Sequence, residues 1–168
     1  MRRLALIPLL VTAACSDATA DQETPKVEVA SALQPGQWEI SREVTRLVAT
    51  DKGKPALDQE VGSHTTFSHC LTAADAEKPD ATLFAGIEGE TCEYKNFYMS
   101  RGRINVSIAC TPPDLGGQVM RTIDGKFTAD SIEASASADT YFGAYGDVSI
   151  AAKLIGRRIG ECAPDQNA

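Results

Sequence analysis

The chain of 168 residues is 43% hydrophobic and 23% charged, which is enough for one domain with a real core. Its 23 acidic residues outnumber 16 basic ones, and a net charge of −7 argues against nucleic acid, whose phosphates need a basic face. No apolar run approaches the ~20 residues of a spanning helix, and two histidines leave little room for imidazole chemistry.

The first fourteen residues read as an export signal: a basic start at Arg2 and Arg3, then an uncharged, mostly apolar run from Leu4 to Ala14. Small residues lead directly into a cysteine, Thr12-Ala13-Ala14-Cys15. This segment resembles the lipobox of bacterial lipoproteins, departing from it at Thr12, where leucine is commonest. The resemblance implies that the signal 1–14 is cut off and that Cys15 carries diacylglycerol and palmitate-type acyl chains. Each buried methylene contributes ~0.8 kcal/mol, and two chains already give a stable anchor. Removing Arg2 and Arg3, with no acid in the segment, takes the formal charge from −7 to −9. Ser16 rather than aspartate follows the cysteine. By resemblance to the enteric sorting rule, that places the protein at the outer membrane, facing the periplasm. Ordinary cleavage, leaving Cys15 a free thiol and the protein soluble in the periplasm, is the alternative. From Cys15 to Gln34 the chain is polar and acidic without period, which reads as a flexible tether.

A β domain is expected over 35–163, with 164–168 a disordered tail. Pro35-Gly36 marks a turn, and period-two alternation then dominates. Trp38, Ile40, Val44 and Val48 share one face of a long first strand, interrupted by Arg42 and Arg46. A second strand covers about Val61 to Leu71. Thr72 to Glu77 reads as a short helix with Thr72 as N-cap, stopped by Pro79. Cys92 to Cys110 reads as a hairpin whose three-residue loop Ser100-Arg101-Gly102 places Gly102 in the left-handed region. That register sets Cys92 opposite Cys110, Tyr94 opposite Ile108 and Tyr98 opposite Ile104, and it sends both tyrosines to the apolar face. A further hairpin turns at Ala129-Asp130-Ser131, with Gly125 read as a bulge. Tyr141 to Gly146 forms an aromatic, glycine-bearing loop. The last strand turns Val148, Ile150, Ala152 and Leu154 inward, with a register shift at Gly156. The fold class is therefore all-β: a single antiparallel meander of about 7–8 strands, closed as a barrel or sandwich, with one short helix.

Apart from Cys15, four cysteines remain in an exported domain, which implies two disulfides. The hairpin register selects Cys92–Cys110 and leaves Cys70–Cys162. Loop-closure entropy makes the two bridges worth about 3 and about 4.6 kcal/mol. No C-x-x-C is present, so a thioredoxin-like role lacks its motif.

The opening Pro35-Gly36-Gln37-Trp38-Glu39 resembles that of a bacterial family designated domain of unknown function 3617. The likeness continues through Cys70-Leu71-Thr72-Ala73-Ala74-Asp75-Ala76, Cys92, Cys110, Gly125 with Asp130-Ser131, and Gly156 to Cys162. Ala74 departs from it, standing where that family often has glutamate. The resemblance implies an exported β-rich domain with two disulfides, and it carries no catalytic residue over.

His64 and His69, five apart on a strand, point to opposite faces and cannot jointly grip a metal. Asp75, Glu77, Asp80, Glu88 and Glu90 cluster in sequence, and only two of them facing each other across a cleft could hydrolyse a glycan. Arg157 and Arg158 suit lipid phosphate or surface ion pairs. Trp38, Tyr94, Tyr98, Tyr141 and Tyr145 suit a ligand or partner surface, or core filling. No cofactor, metal or catalytic residue is expected. The expected function is a non-enzymatic envelope module held by its lipid anchor, binding another envelope protein or an apolar small molecule such as a lipid. A cell-wall or polysaccharide hydrolase using acidic residues is the rival reading.

Overall fold

The computed structural model describes residues 30–55, 57, 59–85 and 89–163. The expected signal, Cys15, most of the expected tether and the expected tail 164–168 lie outside the described residues. Alternating β-branched, aromatic and polar residues build seven strands: β1 (Gly36–Ala49), β2 (His64–Leu71), β3 (Thr91–Ser100), β4 (Arg103–Thr111), β5 (Gly117–Phe127), β6 (Ser131–Phe142) and β7 (Val148–Gly160). All lie in one sheet in the order β2-β1-β7-β6-β5-β4-β3, and every neighbouring pair is antiparallel. The all-β meander is as expected, but the sheet does not close into a barrel.

Strand parity explains the opening. Six antiparallel steps separate β2 from β3, so the two edge strands run in the same direction and could join only as a parallel pair. A parallel connection needs a crossover, and residues 72–90 supply it, returning from the end of β2 to the start of β3. Its apolar side chains Ala81, Leu83, Phe84 and Ala85 are buried against Trp38, Ile40, Ile104, Val106, Ile108 and Ile123 of the sheet. The crossover thus covers the sheet's apolar face, as a second sheet would in a sandwich.

The short helix lies within this crossover, though not at the expected place. Residues 73–78 form turns, with the Thr72 hydroxyl bonded to Asp75 at 2.5 Å. The single helical turn α1 is Thr82–Ala85, where the Asp80 carboxylate accepts from Thr82 N–H at 2.9 Å. Asp80, one step past Pro79, makes the better cap because the apolar run Ala81 to Ala85 follows it.

Residues 30–35 form a strap across one end of the sheet. Gly102 N–H donates to Ala30 O at 2.9 Å, Gln34 N–H to Ala129 O at 2.7 Å, and Trp38 Nε1 to Gln34 O at 3.0 Å. Leu33 is buried in the core. The expected tether therefore already belongs to the folded body by Ala30, because Leu33 and these backbone bonds hold it. This end, with the β3–β4 and β5–β6 turns, is called the strap end; the β4–β5 and β6–β7 turns lie at the far end.

Four registers differ from expectation. Arg101 and Gly102, both at positive φ (50° and 69°), form a two-residue turn with Ser100 paired to Arg103. A bulge between Tyr94 and Asn96 then restores Cys92 opposite Cys110. The cysteines align, but Phe97 and Met99 turn inward in place of Tyr98. In β1, a shift between Val44 and Arg46 turns Leu47 toward the core and leaves Val48 exposed. Gly125 is no bulge, because pairing runs unbroken through Ile104, Gly125 and Ala134. A Cβ on Gly125 would lie 2.3 Å from the Glu133 carbonyl oxygen. Gly156 likewise lies in continuous pairing with Ile40 and Ile132, and the shift falls at Ile159 instead. A Cβ on Gly156 would meet Ile132 Cβ at 3.1 Å. Both glycines permit close approach rather than a change of register. The second strand also begins at His64, leaving Val61 in an exposed turn.

Both expected disulfides are present, Cys70–Cys162 and Cys92–Cys110. The first joins the end of β2 to the segment after β7 at the strap end, and the second joins β3 to β4 near the far end. Gly125→Ala should lower stability by about 1–3 kcal/mol in urea unfolding, since backbone atoms obstruct its methyl group. Gly160→Ala, with nothing within 4 Å of its Cβ, should stay within about 0.5 kcal/mol of wild type.

Candidate functional site

The aromatic residues read as a ligand or partner surface, or as core filling, are dispersed. Trp38 is wholly buried in the core, with its indole N–H satisfied by the strap. Tyr94 packs edge-on to Phe97, with ring centroids 4.9 Å apart, beneath Lys78 Nζ at 5.7 Å from each ring. The Tyr94 hydroxyl donates to Pro79 O at 2.8 Å, so this tyrosine fastens the crossover to β3. Tyr98 faces outward and is half exposed, a consequence of the bulge beside Lys95. Trp38 and Tyr94 fill space rather than enclose it.

The inner face of the sheet holds a polar cluster instead. Glu90, the last residue of the crossover, is buried and accepts two hydrogen bonds from Arg121 of β5, at 2.8 and 3.1 Å. Arg121 stands between Val119 and Ile123 on the apolar parity of its strand, opposite Ile108 and Ala138. Arg42 of β1 shares this interior. Burial and the nearby Arg121 charge lower its pKa, while Glu90 opposes them. The Nε atoms of Arg42 and Arg121 and the Oε1 of Gln59 are buried without a hydrogen-bond partner among the described residues. They border a cavity of about 20 Å³ walled by Phe84, Val119, Ala138 and Ile150. That is room for about one water, whereas ligand pockets run to several hundred Å³. Glu90 also lies beside Cys92 and Cys110. Both sulfurs are in the disulfide, so these residues offer no thiolate to a metal. The inward parity of Arg121 within Val119–Ile123 was the sequence signal for this cluster, and Arg42 had marked a break in the apolar face.

Larger concavities lie outside the core. A groove of about 430 Å³ at the strap end is lined by Arg101, Arg103, Lys126, Phe127 and Glu133. At the far end, Tyr141 is 58% exposed and Tyr145 45% exposed. The Asp147 carboxylate holds their loop, accepting from Phe142 N–H at 2.8 Å and from the Thr140 hydroxyl at 3.1 Å. Arg157 pairs with Glu133 at 3.5 Å, while Arg158 pairs with Glu161 and donates to Pro35 O at 2.7 Å. The arginine pair is thus engaged by the protein itself. Among the acids, Asp75 accepts from Thr72, Asp80 caps α1, Glu90 holds Arg121, Glu77 is exposed, and Glu88 lies outside the described residues. His64 pairs opposite Glu43, and His69 opposite Trp38.

Glu90→Ala should cost about 3–5 kcal/mol, because it strands the Arg121 charge in the interior. Combining it with Arg121→Met should recover most of that loss in denaturant titrations. Burial lowers the pKa of His69, while Asp80 and Asp75 pull it back up. The unfolded chain therefore takes up this proton before the folded one, and stability falls as pH drops below about 6.5. Urea midpoints for His69→Asn should fall less than those of wild type between about pH 7.5 and about pH 5.5.

No curated protein and no solved structure matches the chain. A family model described as protein of unknown function (DUF3617) matches residues 33–162, which span the strap from Leu33, all seven strands and both disulfides. The chain belongs to that family.

Proposed function

We propose that this is an exported, lipid-anchored, non-enzymatic module that binds a partner protein through its surface in the cell envelope. The arrangement of its two ends carries the reading. The chain arrives from Cys15 at the strap end, where Ala30 is bonded to Gly102. The exposed Tyr141 and Tyr145 lie at the opposite end, turned away from the anchor. Tyrosine gives large contact area at low entropic cost and is enriched where proteins meet. The small interior cavity favours surface contact over carriage of an apolar molecule inside. Residues 15–30 reach at most about 55 Å whatever their conformation, so the far end is displayed within the envelope space.

Two measurements test this. Cell fractionation should recover the wild type with membranes and Cys15→Ser in the soluble periplasmic fraction; both soluble would end the anchor reading. A photocrosslinking residue at position 145 should give a discrete adduct in living cells that Tyr141→Ser weakens several-fold. Absence of the adduct, together with turnover of a glycan substrate by the purified chain, would overturn the binding role.

A further inference from the structure

We infer that the strap-end groove seats on anionic lipid headgroups, so that the domain lies against the membrane that anchors it. The choice of a membrane as occupant rests on the anchored reading, whereas the charge of the groove is argued from the strands alone.

Arg103 and Lys126 are direct cross-strand partners in the β4–β5 ladder. Like charges placed opposite each other weaken a sheet. Arg101 adds a third cation from the turn that precedes Arg103. None of the three side chains has an ion pair or hydrogen bond among the described residues. Glu133, the acid lining the groove, stands opposite Lys126 in the β5–β6 ladder, but its carboxylate is engaged by Arg157 at 3.5 Å. The chain carries 23 acidic residues and a net charge of −7, so acids to neutralise these cations are not scarce. Three cations thus face one carboxylate that Arg157 already shares, and this local excess of positive charge points to an anion from outside the protein.

The turn is also rigidly held. Arg101 has φ 50°, a conformation that side chains other than glycine rarely adopt. Gly102 beside it donates to Ala30 and accepts from Phe127 N–H at 3.0 Å. The backbone that presents Arg101 is therefore bonded to the strap that leads back to Cys15. The occupant follows from this placement. The groove is on the end reached by the anchor, and a membrane surface is the anionic partner always within reach there. Attraction fades within a Debye length of about 10 Å, so only groups on that end can feel the headgroups.

The test uses the chain from Ser16 onward, which lacks both the signal and the acylated cysteine. Vesicles are phosphatidylcholine alone, or phosphatidylcholine with about one third phosphatidylglycerol. Sedimentation should show binding to the anionic vesicles alone, weakened by added salt. Each basic residue at such a surface is worth about fivefold, so Arg101→Asn/Arg103→Gln/Lys126→Gln should bind about a hundredfold more weakly. Equal thermal midpoints for the two proteins would show that the variant is folded. Equal binding by both proteins, equal binding to neutral vesicles, or saturation by inorganic phosphate without vesicle preference would each overturn the inference. Because no acyl chain is present, these outcomes do not depend on whether Cys15 is lipidated. That question is answered by the fractionation of Cys15→Ser.

Discussion

The direction of two edge strands governs this structure. With seven strands in antiparallel order, β2 and β3 run the same way and leave the sheet open between them. Closure would demand a parallel pair, whose connection must travel back along the full strand length. Residues 72–90 make that journey, and in doing so they become the core's cover. Ala81, Leu83, Phe84 and Ala85 do for the sheet what a second layer does in a sandwich. The domain therefore depends on a crossover with a single helical turn.

A long, irregular segment buried against a sheet must satisfy its own polar groups and be held in place. Three devices do this. Tyr94 reaches the carbonyl of Pro79, Ala76 O accepts from Leu33 of the strap, and Glu90 grips Arg121. The disulfides bracket the segment, one at Cys70 just before it and one at Cys92 just after. A buried ion pair adds little net stability, since desolvation offsets the attraction. Its value here is positional: it ties the end of the crossover to β5. The same packing leaves room for about one water in the cavity beside Arg42 and Arg121.

The surface is polarised along the strand axis. The strap and the cations Arg101, Arg103 and Lys126 gather at one end. Exposed tyrosines gather at the other, on a loop braced by Asp147. An antiparallel meander produces such polarity without special provision, because alternate turns fall at alternate ends.

Much of this was legible in the amino-acid sequence. Period-two alternation marked the strands because a strand sends every second side chain to the same face, and that rule needs only local residues. The pairing of Cys92 with Cys110 followed from hairpin register. It survived a misread turn because the two-residue turn at Arg101-Gly102 and the bulge beside Lys95 shift the register in opposite senses. Tyr98 shows the limit of the same reasoning, for between turn and bulge every side chain changes face. Gly125 and Gly156 were visible as special positions, but whether a glycine bulges or yields space depends on which strand lies across from it. The open sheet, the covering crossover and the meeting of Glu90, Arg121 and Arg42 were decided only by tertiary structure. Each depends on residues far apart in the chain being brought together, and no local periodicity records that.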